Sequence, residues 1–441
     1  MDLWVTNCIL ISGDGSSVFK NGLLGVQDGV IQVVADQQPD QLPDGPLLDA
    51  GGGYLLPGIV NTHTHGCCTG PLFSSGAPGV SLDDAVAHVL RHMAQGETTL
   101  CDLSGLGTVA DVEQVRAAVP VGIGLGSCHF NETFVAARLV DGTGIEPRHE
   151  QVTARQMIEQ GDVVAIGEIG SGATLGGGVA SYRYIPEAVR QISGVTIGWA
   201  EADRIKAAVL LESPTQIDEL SKLLEEFDLA GRISHEQISE LVIKYVRKPL
   251  GAALSGFQPA AELSAATGVP AVFHTCKESV EKILQVAERY SSGQVRMIAG
   301  HANHNSMSAE DCVSWARKLR NRGVAIDVAT VQCFSGMPDI LVNARALCAA
   351  GLVDVISTDY GGGRWDSILS MVEYLVEDCL LSMPKAVALA TSAPAALFPS
   401  IGKYRGLLAP GRHADFVITA PGKLSEVHKV FIAGKKAWSN S

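Results

Sequence analysis

Two histidines stand two residues apart, His63 and His65, at the end of a short apolar run that is typical of a buried strand. In a strand, residues i and i+2 point to the same face, so both imidazole rings can reach one metal ion. The pair alone is weak evidence, because exposed or core histidines occur more often at this spacing than metal ligands do. It becomes informative only if other strands carry ligand-type residues at matching positions.

Four further ligand-type residues stand where later apolar runs end. In chain order they are Glu168, His274, His301 and Asp359. A closed barrel of parallel strands brings its strand ends together around one axis and carries its active site there, whereas an open sheet would spread these residues along an edge. The six residues therefore predict a metal site at the carboxyl ends of a barrel.

Eight apolar runs supply the strands that this arrangement needs. Most are followed by a stretch of helical periodicity, and continuous apolar strands suit a sheet buried on both faces. The pattern alone also fits an open, doubly wound sheet, but the positions of the polar residues favour an α/β fold with a (β/α)8 TIM barrel. The runs lie at 56–62, 98–103, 121–128, 163–168, 270–274, 295–301, 323–329 and 352–358.

The two ends of the chain do not follow this repeat. Residues 1–56 and 403–441 contain short strand-like runs separated by turn signals such as Asp28-Gly29. We predict that these ends pair into one small β-sandwich domain, and that residues 57–402 form the barrel.

A long segment between the fourth and fifth runs, at about 176–257, predicts a helical insertion. One helix is predicted to begin at Ser213-Pro214, and a second at a capping box that opens with Ser234. An insertion after a barrel strand emerges on the catalytic face, so this segment forms either a lid or a subunit contact.

Composition narrows the class of partner. The chain of 441 residues has a net charge of −14, which argues against a nucleic-acid partner because phosphate backbones are held by clustered Lys and Arg.

The N-terminus does not resemble a signal peptide, and no segment approaches the roughly 20 apolar residues of a membrane span. The ten cysteines form no C-x-x-C pairs, which fits free thiols. We expect a cytoplasmic homo-oligomer that acts on a small molecule, without a membrane partner.

The ligand types indicate the chemistry. Imidazole and carboxylate ligands suit Zn²⁺, and Fe²⁺, Mn²⁺ or Co²⁺ are also admissible. Four histidines and two carboxylates suffice for two ions if Glu168 bridges them, and two ions share a hydroxide and polarise a substrate carbonyl. Asp359 can then take the proton from the attacking water and deliver it to a leaving nitrogen. The set predicts hydrolysis by a metal-bound hydroxide.

Two stretches resemble the motifs of a known family. Residues 56–65 (LPGIVNTHTH) look like the opening motif of the amidohydrolase superfamily, and residues 406–415 (GLLAPGRHAD) resemble its C-terminal stretch. The later strand-end residues match its metal ligands in order, so the resemblance covers nearly the whole chain except the insertion. It implies a metal-dependent barrel hydrolase. The strand ends, including His129 at the third, are most similar to those of the enamidases, which implies fission of a ring C–N bond in a cyclic amide or enamide.

Three alternatives remain open. One is deamination of a nitrogen heterocycle by a single metal ion. The mononuclear deaminases of this superfamily have a glutamate three residues after the strand-five histidine. This chain has Lys277 at that position, which counts against deamination. Lactone or ester hydrolysis is also open, because a metal site does not select nitrogen over oxygen as the leaving atom. A non-catalytic barrel would be expected to have lost ligands, and this chain retains them all.

Five residues are candidates for contacts with the substrate. His129, which ends the third run, is predicted to bind or polarise the substrate as a catalytic residue, and Asn303 is a predicted hydrogen-bond donor. Lys277, Arg183 and Arg364 lie on loops of the catalytic face and could hold a carboxylate, bidentately in the case of arginine. Each cation is individually more common as a solvated surface charge. One of them suffices for a carboxylate-bearing substrate.

Overall fold

The computed structural model of the protein describes residues 1–37, 44–176, 178–211, 215–291, 293–360 and 365–440. Its strands are β1 (Leu3–Ile11), β2 (Val18–Gln27), β3 (Val30–Ala35), β4 (Leu47–Asp49), β5 (Tyr54–Pro57), β6 (Ile59–Thr64), β7 (Glu97–Asp102), β8 (Gly122–Ser127), β9 (Val163–Ile169), β10 (Ala271–His274), β11 (Met297–Gly300), β12 (Ala325–Ala329), β13 (Val355–Ser357), β14 (Phe416–Ala420), β15 (Lys423–Ile432) and β16 (Lys435–Ser439). They fall into two sheets, one parallel and one mixed.

The helices lie mostly between the strands of the parallel sheet. They are α1 (Leu82–Ala94), α2 (Val109–Arg116), α3 (Asn131–Val140), α4 (Ala154–Glu159), α5 (Ile185–Ser193), α6 (Trp199–Leu210), α7 (Gln216–Glu226), α8 (His235–Val242), α9 (Lys248–Ser255), α10 (Phe257–Thr267), α11 (Val280–Ala287), α12 (Ala309–Arg320), α13 (Pro338–Ala349), α14 (Ile368–Glu377), α15 (Met383–Ala388), α16 (Ser392–Leu397) and α17 (Pro399–Gly402). A 3₁₀ turn spans Pro147–Glu150, and π-helical turns span Ala180–Tyr184 and Ile243–Arg247. Among the described residues, no helix combines the length and the apolar character needed to cross a membrane.

The parallel sheet is a barrel. Strands β6 to β13 follow one another in chain order, and each neighbouring pair is parallel. The backbone N–H of Asp359 donates to the carbonyl of His63 at 2.9 Å, and the N–H of His65 donates to the carbonyl of Tyr360 at 2.6 Å, so the chain after β13 closes against β6. All residues of β6, β7 and β9 are buried, as expected for a sheet covered by helices. The predicted (β/α)8 barrel is confirmed, and each predicted run overlaps one of its strands.

Both ends of the chain meet in the mixed sheet. Its strand order is β16-β15-β14-β5-β1-β2-β3, with β4 paired to β1, so β14 joins the C-terminal strands to the N-terminal ones. Asp28 and Gly29 form the turn between β2 and β3 with φ values of 52° and 73°, the left-handed conformations that a two-residue Asp-Gly turn requires. The predicted β domain built from both termini is confirmed, and its strands form one mixed sheet. The boundaries of the two domains stay a prediction.

The insertion has a hydrophobic core of its own, built from buried side chains of both π turns, of α5 to α8 and of the segments between these helices. Helix α8 begins at the predicted capping box: the hydroxyl of Ser234 accepts from the N–H of Gln237 at 3.1 Å, and the side chain of Gln237 accepts from the N–H of Ser234 at 2.9 Å. The other predicted start, Ser213-Pro214, lies outside the described residues. Helix α6 was not predicted, because it begins after Gly198, which has no capping side chain.

Candidate metal centre

The two histidines of the H-x-H motif form one wall of the site. His63 lies in β6 and His65 directly follows it, and both side chains are buried. Their ring centroids are 5.2 Å apart. The spacing of two residues therefore puts both rings on the same side of the strand, as predicted.

Glu168, near the end of β9, lies between imidazoles from three strands. Its Oε1 atom is 2.8 Å from Nε2 of His301 and 3.1 Å from Nδ1 of His274. Its Oε2 atom is 3.9 Å from Nε2 of His65. A carboxylate that reaches both sides of a histidine cluster in this way can bridge two cations.

Asp359 completes the cluster from the segment after β13. Its Oδ1 atom is 3.4 Å from Nε2 of His65 and 3.5 Å from Nε2 of His63. The residue has a φ of 48°, which is uncommon for a residue other than glycine, and its N–H bond to the carbonyl of His63 holds this conformation. The side chain is 23% exposed, whereas those of His63 and His65 are buried. Asp359 is therefore the carboxylate of the cluster with access to solvent or substrate.

The ligand atoms form two overlapping groups. His63, Glu168 and His301 make one group, and His63, His65 and Asp359 make the other; within each, the ligand atoms lie within 4.8 Å of one another. The Nε2 atom of His63, shared by both, is buried and has no hydrogen-bond partner within the described ranges. Buried polar atoms normally have partners, and imidazole with carboxylate is a donor set of zinc sites. The residues therefore fit divalent cations.

The charges of the cluster shift its pKa values. Burial alone would lower the pKa of His301, but the charges of Asp359 and Glu168 outweigh it and raise this pKa to about 9. For Glu168 the balance is opposite: burial raises its pKa, and the imidazoles of His274 and His63 outweigh burial and hold it well below the usual value. His301 and His65 lower the pKa of Asp359 against burial in the same way. Both carboxylates are thus ionised at neutral pH, the form that binds a cation.

Zn²⁺ binding to the metal-free protein at pH 7 should release protons. A histidine ligand must be deprotonated, and His301, with a pKa of about 9, is protonated at pH 7 in the absence of metal. The apparent affinity should therefore rise about tenfold per pH unit for each proton displaced and level off above about pH 9. Calorimetric titration of EDTA-treated protein in buffers of different ionisation enthalpy measures this release. A binding enthalpy that does not depend on the buffer, together with a Zn²⁺ affinity that does not change between pH 7 and pH 9, would contradict this prediction.

Asp327, in β12, contacts the cluster and was not predicted as a site residue. Its Oδ2 atom lies 3.4 Å from Nδ1 of His63 and accepts hydrogen bonds from the N–H of His301 and the hydroxyl of Ser357, each at 3.0 Å. His301 has a left-handed φ of 37°, so the bond from its N–H supports an uncommon backbone conformation. The buried Asp327 therefore positions two candidate ligands from different strands. A lone carboxylate inside the apolar run 323–329 was the signal in the sequence.

Replacing Asp327 by asparagine should lower metal affinity by about 10- to 100-fold while every candidate ligand stays in place, because carboxylates that orient ligating histidines have effects of this size. Competition with a chromophoric chelator measures the affinity. Asp354→Asn is the matched control, because Asp354 lies directly before β13 and accepts from the N–H of Ile326 in β12, but it pairs with Arg320 rather than with a candidate ligand. Equal affinities in the two variants would show that Asp327 does not position the ligands.

The cluster opens into a cavity of about 470 Å³, which we call the inner chamber. The ligands His65, Glu168, His274 and Asp359 line it. Its other walls are mainly apolar or aromatic, and no Lys or Arg among the described residues lines it. Part of the insertion belongs to these walls, so the insertion borders the site. These walls include Phe73, Val179, Tyr182, Tyr184 and Val331.

Two predicted substrate contacts lie away from the inner chamber. Nδ1 of His129 is 2.8 Å from the hydroxyl of Ser127, and burial lowers the pKa of His129 to about 4; the residue lines a separate cavity instead. The amide of Asn303 donates to the carbonyls of Ala329 and Ile340 and accepts from the N–H of Ala329 at 2.9 Å. The structure therefore does not bring His129 to the candidate ligands. The Asn303 side chain is hydrogen-bonded to the backbone at the end of β12 instead of facing the inner chamber.

The three predicted cations differ in position. Lys277 follows β10, and its exposed side chain lines a second cavity beside the inner chamber. Arg183 is exposed in the first π turn, 3.8 Å from Glu187, and lines neither cavity. Arg364 lies outside the described residues. Of the two described cations, only Lys277 lies near the site.

Comparisons with known proteins agree with this geometry. A sequence profile described as the amidohydrolase family matches residues 54–437. No protein among the curated sequences matches the chain.

Solved structures share the fold over nearly the full length. The β-aspartyl dipeptidase of Fervidobacterium islandicum AW-1 is 15% identical, with 100% of this chain and 98% of that chain covered and a TM-score of 0.55. The 5-methylcytosine deaminase of Klebsiella pneumoniae is 15% identical, with 99% and 98% covered and a TM-score of 0.52. An adenosine deaminase of Xanthomonas campestris with bound zinc is 14% identical, with 99% and 92% covered and a TM-score of 0.52. At identities this low, the structural similarity shows a common fold and does not by itself show a common activity.

Proposed function

This chain belongs to the amidohydrolase family, and from that premise we propose that it is a metal-dependent hydrolase that cleaves a C–N bond in a cyclic amide or enamide. One observation carries the proposal. Oε1 of Glu168 contacts His301 of the first ligand group, and Oε2 faces His65 of the second. The two groups share His63. We propose that the two groups together hold two divalent ions, with zinc as the preferred metal and Glu168 as the bridge.

Asp359 is the residue best suited to move protons. Divalent ions held by these ligands would lower the pKa of a coordinated water and polarise a substrate carbonyl. The Asp359 carboxylate is ionised and partly exposed to the inner chamber, so it can accept the proton of the attacking water and donate it to the leaving nitrogen. His63 and His65 fix its position through contacts of 3.5 and 3.4 Å.

The inner chamber supports a small cyclic substrate. Its volume of about 470 Å³ falls within the roughly 300–1,000 Å³ of ordinary small-molecule sites. Phe73, Val179 and Val331 provide apolar walls beside the ligands, which can hold a ring while its amide faces the cluster. The similarity of the strand ends to those of enamidases supports fission of the ring.

Deamination and ester hydrolysis are the alternatives that the same ligands allow. Two deaminases share the fold, and a deaminase would need only one ligand group. Lys277 counts against deamination, because it stands where mononuclear deaminases of the superfamily have a glutamate and its side chain lines the second cavity rather than the inner chamber. Lactones remain candidates because Asp359 can protonate a leaving oxygen as well as a nitrogen. The dipeptidase among the structural neighbours makes dipeptides a further class to test.

Elemental analysis of the purified protein, followed by a hydrolysis screen, tests the proposal. The panel contains cyclic amides, imides and enamides, N-acyl amino acids, dipeptides and lactones, with ammonia release measured on amino-substituted heterocycles. We expect about two divalent ions per chain, ring opening of a cyclic amide or enamide, loss of activity with EDTA and recovery with Zn²⁺. One ion per chain with ammonia release would indicate a deaminase instead. A protein that binds no metal on reconstitution would overturn the metal-dependent function.

A further inference from the structure

A second cavity, which we call the outer chamber, adjoins the metal centre and has a volume of about 1040 Å³. It shares the lining residues Gly172, Gly178, Tyr182 and His274 with the inner chamber. Because His274 contacts Glu168 directly, the outer chamber begins at the cluster itself. Its other walls come from α6 and from the loops after β10 and β11. A molecule bound at the ligands can therefore extend into it.

The outer chamber contains a cation that is free to bind a ligand. Lys206 also lines it, but this ammonium is 2.7 Å from the carboxylate of Asp203 and donates to the carbonyl of Gly176 at 3.3 Å. Lys277 has an exposed side chain and makes no ion pair within the part of the chain that the structure describes. Glu278 lines the chamber too, without an ion pair to Lys277.

The backbone of Lys277 is held at a fixed position relative to the ligands. The hydroxyl of Ser279 donates to the carbonyl of His274 at 2.6 Å and accepts from the N–H of Cys276 at 3.0 Å. The N–H of Lys277 itself donates to the hydroxyl of Ser306 at 3.0 Å. These hydrogen bonds join the loop that carries Lys277 to β10 and to the neighbouring loop, while the Lys277 side chain is exposed.

Large apolar side chains stand exposed around the same chamber. Trp199 is 68% exposed and Tyr182 is 64% exposed, and Leu211 and Met337 are also exposed large apolar residues. Three of the four belong to the insertion. Exposed aromatic and apolar groups that gather at one cavity mark a surface that binds an apolar ligand group.

We propose that the outer chamber is a substrate subsite for an apolar or aromatic substituent that ends in a carboxylate. This inference rests on the proposed function: the ring amide lies at the ligands in the inner chamber, and the substituent passes His274 into the outer chamber. Trp199 and Tyr182 pack against its apolar part. The Lys277 ammonium binds its carboxylate. The substrate is accordingly an extended acid rather than a bare heterocycle.

Binding of 3-phenylpropionate to the metal-loaded protein tests the subsite without any turnover. Lys277→Ala should weaken this binding about tenfold or more, because a charged group in a hydrogen bond typically contributes at least that much. Lys277→Arg should retain the affinity within about threefold, since it keeps the charge. Lys435→Ala is the matched control, an exposed lysine of β16 in the terminal sheet. Trp199→Ala should weaken binding of both 3-phenylpropionate and its neutral analogue 3-phenylpropionamide, whereas Lys277→Ala should leave the neutral analogue unaffected.

Two outcomes would overturn the subsite. One is the absence of saturable binding of 3-phenylpropionate, and the other is equal affinity in Lys277→Ala, which would mean that the metal ions bind the carboxylate. A chain that hydrolyses no cyclic amide would refute the proposed function but would leave this binding result intact. With an acidic substrate in hand, Lys277→Ala should raise KM and leave kcat unchanged, because the substituent contacts the chamber equally in the ground and transition states.

Discussion

Replacing Glu168 by glutamine should lower kcat/KM by about 10³-fold or more, which corresponds to about 4 kcal/mol of transition-state stabilisation. Glu168 is the carboxylate whose two oxygens face imidazoles from different strands, with Oε1 2.8 Å from His301 and Oε2 3.9 Å from His65. Glutamine keeps the shape of the side chain but removes the negative charge that a bridge between two cations requires. Metal content should therefore fall from about two ions per chain to one or fewer.

Elemental analysis and steady-state kinetics of the same preparation check both parts of this prediction. Glu288→Gln is a matched control, because Glu288 is an exposed carboxylate paired with Arg322, and neither residue lines the inner or the outer chamber. The two variants should have the same thermal midpoint in the presence of metal within a few degrees if Glu168→Gln folds normally. Full metal content and activity in Glu168→Gln would show that this carboxylate does not bridge.

Asp359→Asn should lower kcat by about 10²- to 10⁴-fold, the usual contribution of a positioned acid–base group. The carboxylate is ionised because His301 and His65 lower its pKa, and it is the member of the cluster most exposed to the chamber. Asparagine can still contact His63 and His65 but cannot accept the proton of the attacking water. The variant should therefore lose turnover much more than it loses metal.

Turnover at saturating Zn²⁺ and metal content separate the two roles of Asp359. A lowered kcat that excess Zn²⁺ does not restore, together with retained metal, would identify it as the proton acceptor. Asp327→Asn provides the contrast, because that residue acts through His63 and His301 and should affect metal affinity before it affects kcat. Unchanged turnover in Asp359→Asn would refute the proton-transfer role.

The barrel and the six candidate ligands could be predicted because both depend on regular patterns along the chain. A buried parallel strand leaves a short apolar run whatever its neighbours are, and the strand ends of a barrel converge whatever lies between them. Glu168 and His301 are 133 positions apart in sequence, yet both stand where a run ends, and their side chains are 2.8 Å apart. The positions of the two residues at strand ends therefore predicted a contact between distant parts of the sequence.

The contacts that could not be predicted depend on where single side chains point. Asp327 stands inside an apolar run, and its role follows from two partners on other strands, His63 and His301. Asn303 is only two residues beyond His301 but turns to the backbone of β12. Loop residues such as Arg183 have no periodicity that sets their direction. Their positions depend on packing that a single sequence does not reveal.

The insertion lines both chambers and yet keeps its hydrophobic core apart from that of the barrel. The segments that carry His63 and Asp359, in contrast, close the barrel through a backbone hydrogen bond between these two residues. Heritable changes in the insertion can therefore alter which molecules enter without disturbing the groups that react with them.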